Sequence, residues 1–564
     1  MSDSLTRRHP VAAELDALMR ATVDSVTAVL EGAGAPAAAA LSAAPDSAVP
    51  PSEHRTRLHV STTAMPYLLD HCFFPQRPGW PDPADRHPVV PATTVLHHLM
   101  AAAERAAPGQ RAVAVHDVRL EKWVNAIPAV DVTITARQLG PGRWAVAFGP
   151  YARATVHLAP AYPAPPPAPP LDAADERPPG IAAAQLYEGR WMFHGPAFRG
   201  VTALRGVGPG HVRGTITTPS APGALLDNVG QLLGYWLMST HPARTVIFPV
   251  ALERARFHGP PPPTGTRIDC HAVITSLTED TLLADVRLTL PDGTVWAELS
   301  GWRDRRFSGL DARRSGGYPE HRALAEAQPG GWCLLRDVWP DPASRDLLMR
   351  MQLGRAEREA YETRPPRGRR QWLLGRIAAK DAVRRWLWER GEGAVFPAEI
   401  EIVNEESGRP RAVGVHGRTL PALDLSLAHR GDLAVALVRP PGHSPYPNGV
   451  GIDIEEIADR TPETHRVALG PRELALLGRL VAAGSGESEA LWFTRFWAAK
   501  EAAAKAEGTG FGGRPHAFEV TGAAPDSLTV TVDGRRHHVR CTLVDPTHVV
   551  AWTTSATTLK ESTQ

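Results

Sequence analysis

The stretch GVGIDIEEI, residues 449–457, determines what we expect of the C-terminal part of the chain. On a strand, successive side chains point to opposite faces, so Asp453 and Glu455 point the same way while Ile452 and Ile454 pack behind them. Two carboxylates on one strand face repel each other unless a cation neutralises them, and hard oxygen ligands suit Mg²⁺. A strand face with two solvated acids is the alternative interpretation.

A second segment, FWAAKEAAAK at residues 496–505, is predicted to be helical. Trp497, Glu501 and Lys505 are spaced i, i+4, i+8 and share one helix face, with Lys500 beside them. The alternative is a solvated helix with an ordinary Glu–Lys pair. Lysine usage weakens that alternative, because only five of the 61 basic residues are lysines and two of them fall here. The sequence pattern therefore indicates that a compact ammonium group is required here, as in phosphate binding.

Together, Gly-Ile-Asp at 451–453 and Trp-x-x-Lys-Glu-x-x-x-Lys at 497–505 resemble the signature of phosphopantetheinyl transferases of the single-chain, pseudodimeric surfactin type. The resemblance covers residues 331–550 and implies transfer of the pantetheine arm of coenzyme A to a serine of an acyl carrier protein. It further implies that Mg²⁺ is held by three acids, the last of which also assists serine deprotonation: Asp453, Glu455 and Glu501. The residues expected to bind coenzyme A are Arg376, Lys380, Arg409, His429, Lys500 and Lys505.

The preceding region contains two blocks of one plan, residues 57–159 and 180–308. Each has a helix with apolar positions at helical spacing, ATTVLHHLMAAAERAA (92–107) and ALLDNVGQLLGYWLMST (224–240), together with β-branched, partly alternating strands. A proline-rich run at 160–170 separates the blocks as a semi-rigid spacer. One helix wrapped by a curved antiparallel sheet, made twice, is a double hotdog. We therefore predict an α+β chain with a double hotdog at 57–310 and a transferase domain at 331–564.

Three features of this double hotdog carry chemistry. His71 precedes the first central helix, FHGPAF lies at 193–198, and Asp227 and Gln231 are spaced i, i+4 on the second helix. A lone histidine is more often structural, and the chain has 23 of them, but the combination resembles polyketide synthase dehydratase domains. The similarity is to iterative synthases that make enediynes or polyunsaturated fatty acids.

The dehydratase resemblance implies a mechanism that needs no cofactor. His71 would remove the α-proton of a 3-hydroxyacyl thioester, and Asp227, kept protonated by an apolar setting, would protonate the departing hydroxyl. Gln231 would orient Asp227. We expect His71 and Asp227 to meet across a narrow apolar tunnel between the two halves.

One departure separates the first motif from the dehydratase pattern. Position 75 is proline where glycine is common, and the insert QRPGWPDPADRH, residues 76–87, follows it. Three alternatives to a dehydratase stay open. They are a non-catalytic module that docks acyl chains or carriers, a hotdog thioesterase, and a structural scaffold.

Composition limits the remaining classes. A formal net charge of +1 gives no indication of a nucleic-acid or membrane partner. Four dispersed cysteines without a CxxC pair argue against a zinc site or disulfides, and no apolar run is long enough to span a bilayer. We expect a cytoplasmic enzyme, with a homodimer as one oligomeric state to consider. Residues 1–56 are predicted to form an amphipathic helix at 9–32 and a linker.

Overall fold

The computed structural model describes residues 53–167, 175–241, 246–307, 319–339, 341–442, 449–483, 486–508 and 510–554. The helix predicted at 9–32, the end of the proline-rich run and most of the boundary between the two predicted domains lie outside the described residues. No helix within the described ranges is both long and apolar enough to cross a membrane.

Among the residues that the structure describes, the N-terminal half contains the α-helices α1 (Ala92–Ala106), α2 (Gln185–Glu188) and α3 (Ala224–Thr240). Its strands are β1 (Glu53–Val60), β2 (Arg111–Leu120), β3 (Val130–Gly140), β4 (Arg143–Phe148), β5 (Ala152–Ala159), β6 (Val201–Val207), β7 (His211–Thr217), β8 (Val246–Phe257), β9 (Arg267–Leu277), β10 (Thr281–Thr289) and β11 (Val295–Phe307).

These strands form one eleven-stranded sheet in the order β1-β3-β4-β5-β2-β8-β11-β10-β9-β7-β6. The two halves join where β2 pairs antiparallel with β8, with Val115 opposite Ala255. Helix α1 packs on the strands of the first half, α3 packs on those of the second, and the two helices touch each other. Because α3 is enclosed, it is apolar around most of its circumference, with Leu232 and Trp236 buried. The predicted double hotdog is confirmed.

The C-terminal half contains helices α4 (Pro342–Gln352), α5 (Arg355–Glu362), α6 (Pro366–Trp388), α7 (Pro462–Ala468), α8 (Pro471–Ala482) and α9 (Glu489–Glu507). Its strands are β12 (Glu326–Ala327), β13 (Trp332–Arg336), β14 (Ile400–Asn404), β15 (Pro410–Gly414), β16 (Asp424–Arg430), β17 (Leu433–Arg439), β18 (Ile452–Glu456), β19 (Glu519–Ala524), β20 (Ser527–Val532), β21 (Arg535–Val544) and β22 (His548–Thr554).

This half is built from two lobes of similar plan. In the first lobe, α6 packs on a sheet of order β12-β13-β17-β16; in the second, α9 packs on a sheet of order β18-β22-β21-β20-β19. The lobes meet where β16 lies beside β18, and the Ser426 hydroxyl accepts the Ile452 backbone N–H at 3.1 Å. Of the predicted transferase site residues, His429 lies on β16, Asp453 and Glu455 lie on β18, and Glu501 and Lys505 lie on α9.

One continuous strand-like run of sequence forms a hairpin. The segment LDLSLAHRGDLAVALV forms β16 and β17, whose last pair is Arg430 opposite Leu433. The two residues between them include Gly431, whose φ of 56° lies in the left-handed region that such tight turns require. The Gly-Asp pair is therefore a turn signal within an otherwise strand-like run.

Candidate functional sites

His71 is held in place in the segment that precedes α1. It follows a short 3-10 helix, Pro66–Asp70, and its Nδ1 lies 2.8 Å from the carbonyl oxygen of Val89. A carbonyl oxygen only accepts hydrogen bonds, so Nδ1 carries the hydrogen and Nε2 keeps its lone pair. The contact gives His71 the tautomer that a general base needs.

Asp227 reaches His71 from the other block. It lies in the first turn of α3, and its Oδ1 is 3.8 Å from Nε2 of His71. The helix begins at Gly223, where φ is 77° and an added Cβ would come within 2.5 Å of the Thr93 backbone. Glycine is thus required where the N-terminal ends of α1 and α3 meet. The structure brings the predicted histidine and acid together.

Gln231 holds the carboxylate as the i, i+4 spacing predicts. Its side-chain amide donates to Oδ2 of Asp227 at 3.0 Å and to the Phe198 carbonyl at 2.9 Å. The Tyr187 hydroxyl donates to the amide oxygen of Gln231 at 2.9 Å, which fixes the orientation of the amide. Sequence analysis did not identify Tyr187, because nothing in the local sequence around it signals that contact.

His194 is a further residue of this site that was not predicted from the sequence. Its Nε2 lies 3.1 Å from Oδ2 of Asp227, and its ring stacks on Phe193 with centroids 4.1 Å apart. His194 is the second residue of the FHGPAF motif, whose individual residues had no predicted role. Gly195 next to it packs against Asp70, where an added Cβ would lie 2.3 Å from a carboxylate oxygen. That close approach places His194 beside the segment that carries His71.

The electrostatics of the site correct one expectation. Burial lowers the pKa of His71 to about 4, so this histidine is neutral near pH 7. Burial alone raises the pKa of Asp227, but the contacts with His194, His71 and Gln231 lower it further than burial raises it. The pKa of Asp227 therefore lies below its ordinary value. The expectation of an acid kept protonated by apolar surroundings is wrong, because His194 stabilises the carboxylate.

These residues open into a cavity of about 300 Å³. Aromatic rings form much of its wall, including Phe73, Trp123 and Phe248. Asp304 also lines it, with 1% of its surface exposed. Its Oδ1 accepts the Trp302 indole N–H at 3.0 Å, whereas its Oδ2 accepts no hydrogen bond from the described residues. Burial raises the pKa of Asp304 to about 7.

The second site lies where β18 meets α9. Ile452 and Ile454 pack in the core behind the strand, as the alternation predicted. Lys505 donates to Oδ1 of Asp453 at 2.7 Å and to the Ile452 carbonyl at 3.1 Å. The second oxygen of Asp453 is buried and has no hydrogen-bond partner among the described residues. An unpartnered buried carboxylate oxygen of this kind fits a cation.

Three acids interact at this site. Burial, followed by the charges of Asp453 and Glu455, raises the pKa of Glu501 to about 7. Burial and the Asp453 charge likewise raise the pKa of Glu455, and burial outweighs Lys505 in raising that of Asp453. Carboxylates that raise one another's pKa are close enough to repel, and a divalent cation would relieve that repulsion.

Two predicted coenzyme A ligands lie elsewhere. Lys500 is fully buried and donates to Glu473 at 2.9 Å and to the Ala468 carbonyl at 2.7 Å. Lys380 is also fully buried, where it pairs with Glu357 and donates to the Gln352 carbonyl at 2.6 Å. Their assignment to coenzyme A phosphates is therefore corrected. Each ammonium group lies on the core-facing side of its helix and holds that helix to its neighbours.

The other predicted coenzyme A residues are His429 on β16, Arg409 in the loop before β15, and Arg376 on α6. Partial burial and the charge of Lys505 lower the pKa of His429, which places this histidine within electrostatic reach of the acidic site. Arg409 pairs with Asp424 at 2.6 Å and is partly exposed. Arg376 is buried, donates to Asn404 at 3.0 Å and lies over the Trp372 ring. Their contacts with coenzyme A stay predictions.

The folds and sites define the class of this chain: a double hotdog followed by a two-lobed α+β domain with an acidic centre. The model of the polyketide synthase dehydratase N-terminal domain family matches residues 163–314. The model of the 4'-phosphopantetheinyl transferase superfamily matches residues 449–553. The chain therefore contains one region that matches polyketide synthase dehydratase domains and a second that matches phosphopantetheinyl transferases.

Solved structures similar to this chain are dehydratase domains. That of a mycocerosic acid synthase-like polyketide synthase is 22% identical, covers 45% of this chain and 91% of its own, and has a TM-score of 0.36. That of the CurJ module of Curacin polyketide synthase is 16% identical, covers 45% and 92%, and has a TM-score of 0.37. A trans-AT polyketide synthase dehydratase domain from Brevibacillus brevis is 18% identical, covers 45% and 94%, and has a TM-score of 0.37. A comparison with curated proteins found no match.

Proposed function

We propose that the C-terminal half transfers 4'-phosphopantetheine from coenzyme A to a serine of an acyl carrier protein with the help of Mg²⁺. The observation that supports this most is the convergence of Asp453 from β18 with Glu501 and Lys505 from α9. A strand and a helix, distant in sequence, thus supply acids and an ammonium group to one place.

The roles of the chain's residues follow from their charges. Asp453, Glu455 and Glu501 would hold Mg²⁺, which when bound neutralises charge on the pyrophosphate of coenzyme A. We assign Lys505, which donates to Asp453, to a phosphate oxygen of coenzyme A, because Lys500 is buried against Glu473. Glu501, as an ionised carboxylate at this site, would accept the proton of the attacking serine hydroxyl, directly or through a water. The serine oxygen then bonds to the β-phosphorus, and 3′,5′-ADP leaves.

Mass spectrometry of an apo acyl carrier protein tests the transfer. Incubation with coenzyme A, Mg²⁺ and the full chain is expected to add one phosphopantetheine to the carrier. Omission of Mg²⁺ or of the enzyme is the control. An unmodified carrier across a panel of polyketide and fatty-acid carriers would contradict the proposal.

For the double hotdog we propose dehydration of 3-hydroxyacyl carrier thioesters to enoyl thioesters. The supporting observation is the 3.8 Å contact of His71 with Asp227, one from each block, at the wall of an apolar cavity. Neutral His71 takes the α-proton through Nε2, and the electron pair forms the double bond as the bond to the hydroxyl breaks. The hydroxyl leaves as water with a proton that Asp227 shares with His194.

Conversion of a 3-hydroxyacyl pantetheine thioester, followed by mass spectrometry or enoyl absorbance, tests this activity. His71→Ala and Asp227→Asn are each expected to stop conversion while pantetheinyl transfer continues. If the wild-type chain dehydrates no thioester but still binds acyl carriers, the non-catalytic docking module would be the better account. Release of a free acid would instead indicate a thioesterase.

A further inference from the structure

The wall of the dehydratase cavity is not made by the double hotdog alone. Besides the aromatic residues described above, it includes Leu347 and Met351 from α4 and Phe396 and Pro397 from the loop before β14. All four belong to the C-terminal half. Neither the dehydratase resemblance nor the transferase resemblance predicts a shared cavity, because each motif set lies within one half.

We infer that the transferase half supplies one wall of the dehydratase cavity and thereby sets which acyl chains the dehydratase accepts. The inference rests on the proposed dehydratase function. It assigns a specificity role to Leu347, Met351 and Phe396, which lie far in sequence from His71 and Asp227.

Packing connects this wall to the catalytic histidine. Leu347 is 1% exposed and belongs to one hydrophobic cluster with Phe73, Val89 and Phe307 of the double hotdog. The Phe73 ring stacks on Phe248 at 4.5 Å and meets the His71 ring edge-on at 5.8 Å. Leu347 therefore belongs to the same packed cluster as the Phe73 ring, which contacts the proposed base. A close-packed cluster transmits small changes in volume, since interiors hold few voids.

The insert at 76–87, which departs from the dehydratase pattern, holds the wall in place. We call it the bridging insert. Its Trp80 is buried against the transferase half, with its ring 4.5 Å from that of His416 and 6.2 Å from that of Phe396. Phe396 thus contacts the insert and lines the cavity at the same time.

Ion pairs of the bridging insert fix its position. Asp85 is 1% exposed and pairs with Arg358 at 2.9 Å and with His416 at 3.1 Å. Arg77 pairs with the buried Glu399 at 2.8 Å. Buried pairs add little net stability, but an imperfect arrangement would leave a charge unpaired, so they select one placement of the two halves.

Because the two halves are held in one arrangement, the wall of the cavity is rigid. A rigid apolar wall distinguishes acyl chains by their size. One extra methylene in such a pocket changes kcat/KM by roughly 10- to 200-fold. Met351 is the residue to vary, because it is half-buried, lines the cavity and lies in the last turn of α4.

The experiment measures kcat/KM of the full chain for a homologous series of straight-chain 3-hydroxyacyl pantetheine thioesters. Met351→Trp is expected to lower kcat/KM by about tenfold or more for the longest wild-type substrates and to leave the shortest unchanged. Met351→Ala is expected to extend the series toward longer chains. Pantetheinyl transfer to a carrier, measured on the same preparations, reports whether the transferase half is folded.

Met349→Ala is the matched control. Met349 lies on the same helix but packs in the core of the transferase half and does not line the cavity. It should lower stability without changing the preference for chain length. An unchanged preference in both Met351 variants, or an equal loss for every chain length, would overturn the inference. If the wild-type chain dehydrates none of the series, the proposed dehydratase function itself fails, which is a different result.

Discussion

His194 donates through Nε2 to Oδ2 of Asp227 across 3.1 Å, on the side of the carboxylate that Gln231 also contacts. The opposite oxygen, Oδ1, is the one that faces His71 at 3.8 Å. The acid of the proposed dehydratase is therefore not an isolated carboxyl group. It forms a pair with a second histidine, which can carry the proton that Asp227 passes to the departing hydroxyl.

This pairing predicts that His194 takes part in proton transfer. His194→Ala is expected to lower the kcat of dehydration by roughly 10²- to 10⁴-fold, the usual contribution of a positioned acid or base. His194→Gln can still donate a hydrogen bond to Asp227 but cannot carry a proton. If His194→Gln restores most of the activity, the histidine only positions the carboxylate. Enoyl formation from a pantetheine thioester is the measurement, and pantetheinyl transfer is the control.

The acidic site predicts that metal binding and transfer fail together. Asp453→Asn and Glu501→Gln are each expected to abolish carrier modification at ordinary Mg²⁺ and to remove the rise in unfolding temperature that Mg²⁺ gives the wild-type chain. Both variants should dehydrate thioesters at the wild-type rate, because the other site is intact. Near-normal carrier modification by both would rule out the assignment.

The two lysines of α9 are predicted to differ in kind. Lys500→Met leaves the buried Glu473 carboxylate without its cation, so we expect a loss of about 3–5 kcal/mol in the free energy of unfolding. Lys505→Met removes a partly exposed ammonium group beside Asp453 and should abolish transfer with little change in unfolding temperature. Calorimetry and the carrier assay on both variants make the comparison. If the Lys500→Met variant is stable but inactive in transfer, the assignment of Lys500 to the coenzyme A site would be restored.

Asp304 predicts a pH dependence of stability. The folded-state pKa of Asp304, about 7, exceeds the ordinary value of 3.8. The favourable contribution of Asp304 to the free energy of unfolding is therefore fully present below about pH 4 and is lost as the pH rises through 7. Above that pH the buried carboxylate costs on the order of 4 kcal/mol. Asp304→Asn should therefore raise the unfolding temperature at pH values above about 7 and give no gain near the ordinary aspartate pKa. Asp131→Asn, at an exposed aspartate, is the control and should give no such trend.

Local sequence patterns were sufficient to predict much of the fold. The central helices were predicted within one residue, because α1 and α3 carry apolar residues at helical spacing over many turns. Alternation placed the two acids of β18 on one face with Ile452 and Ile454 behind them. The hairpin of β16 and β17 is hard to recognise from local patterns, because both strands are apolar and only Gly431 and its neighbour mark the turn between them.

The sequence by itself determined which residue types each site contains, since the spacing of Asp227 and Gln231 or of Glu501 and Lys505 fixes their shared helix faces. Only the tertiary structure decided which side chains reach a site. Lys500 and Lys505 lie on the same helix of a chain in which lysine is rare. Lys500 pairs with the buried Glu473, whereas Lys505 pairs with Asp453. The positions of His194 and of the bridging insert depend on contacts with segments that are distant in sequence. Those contacts depend on packing between distant segments, which no local period encodes.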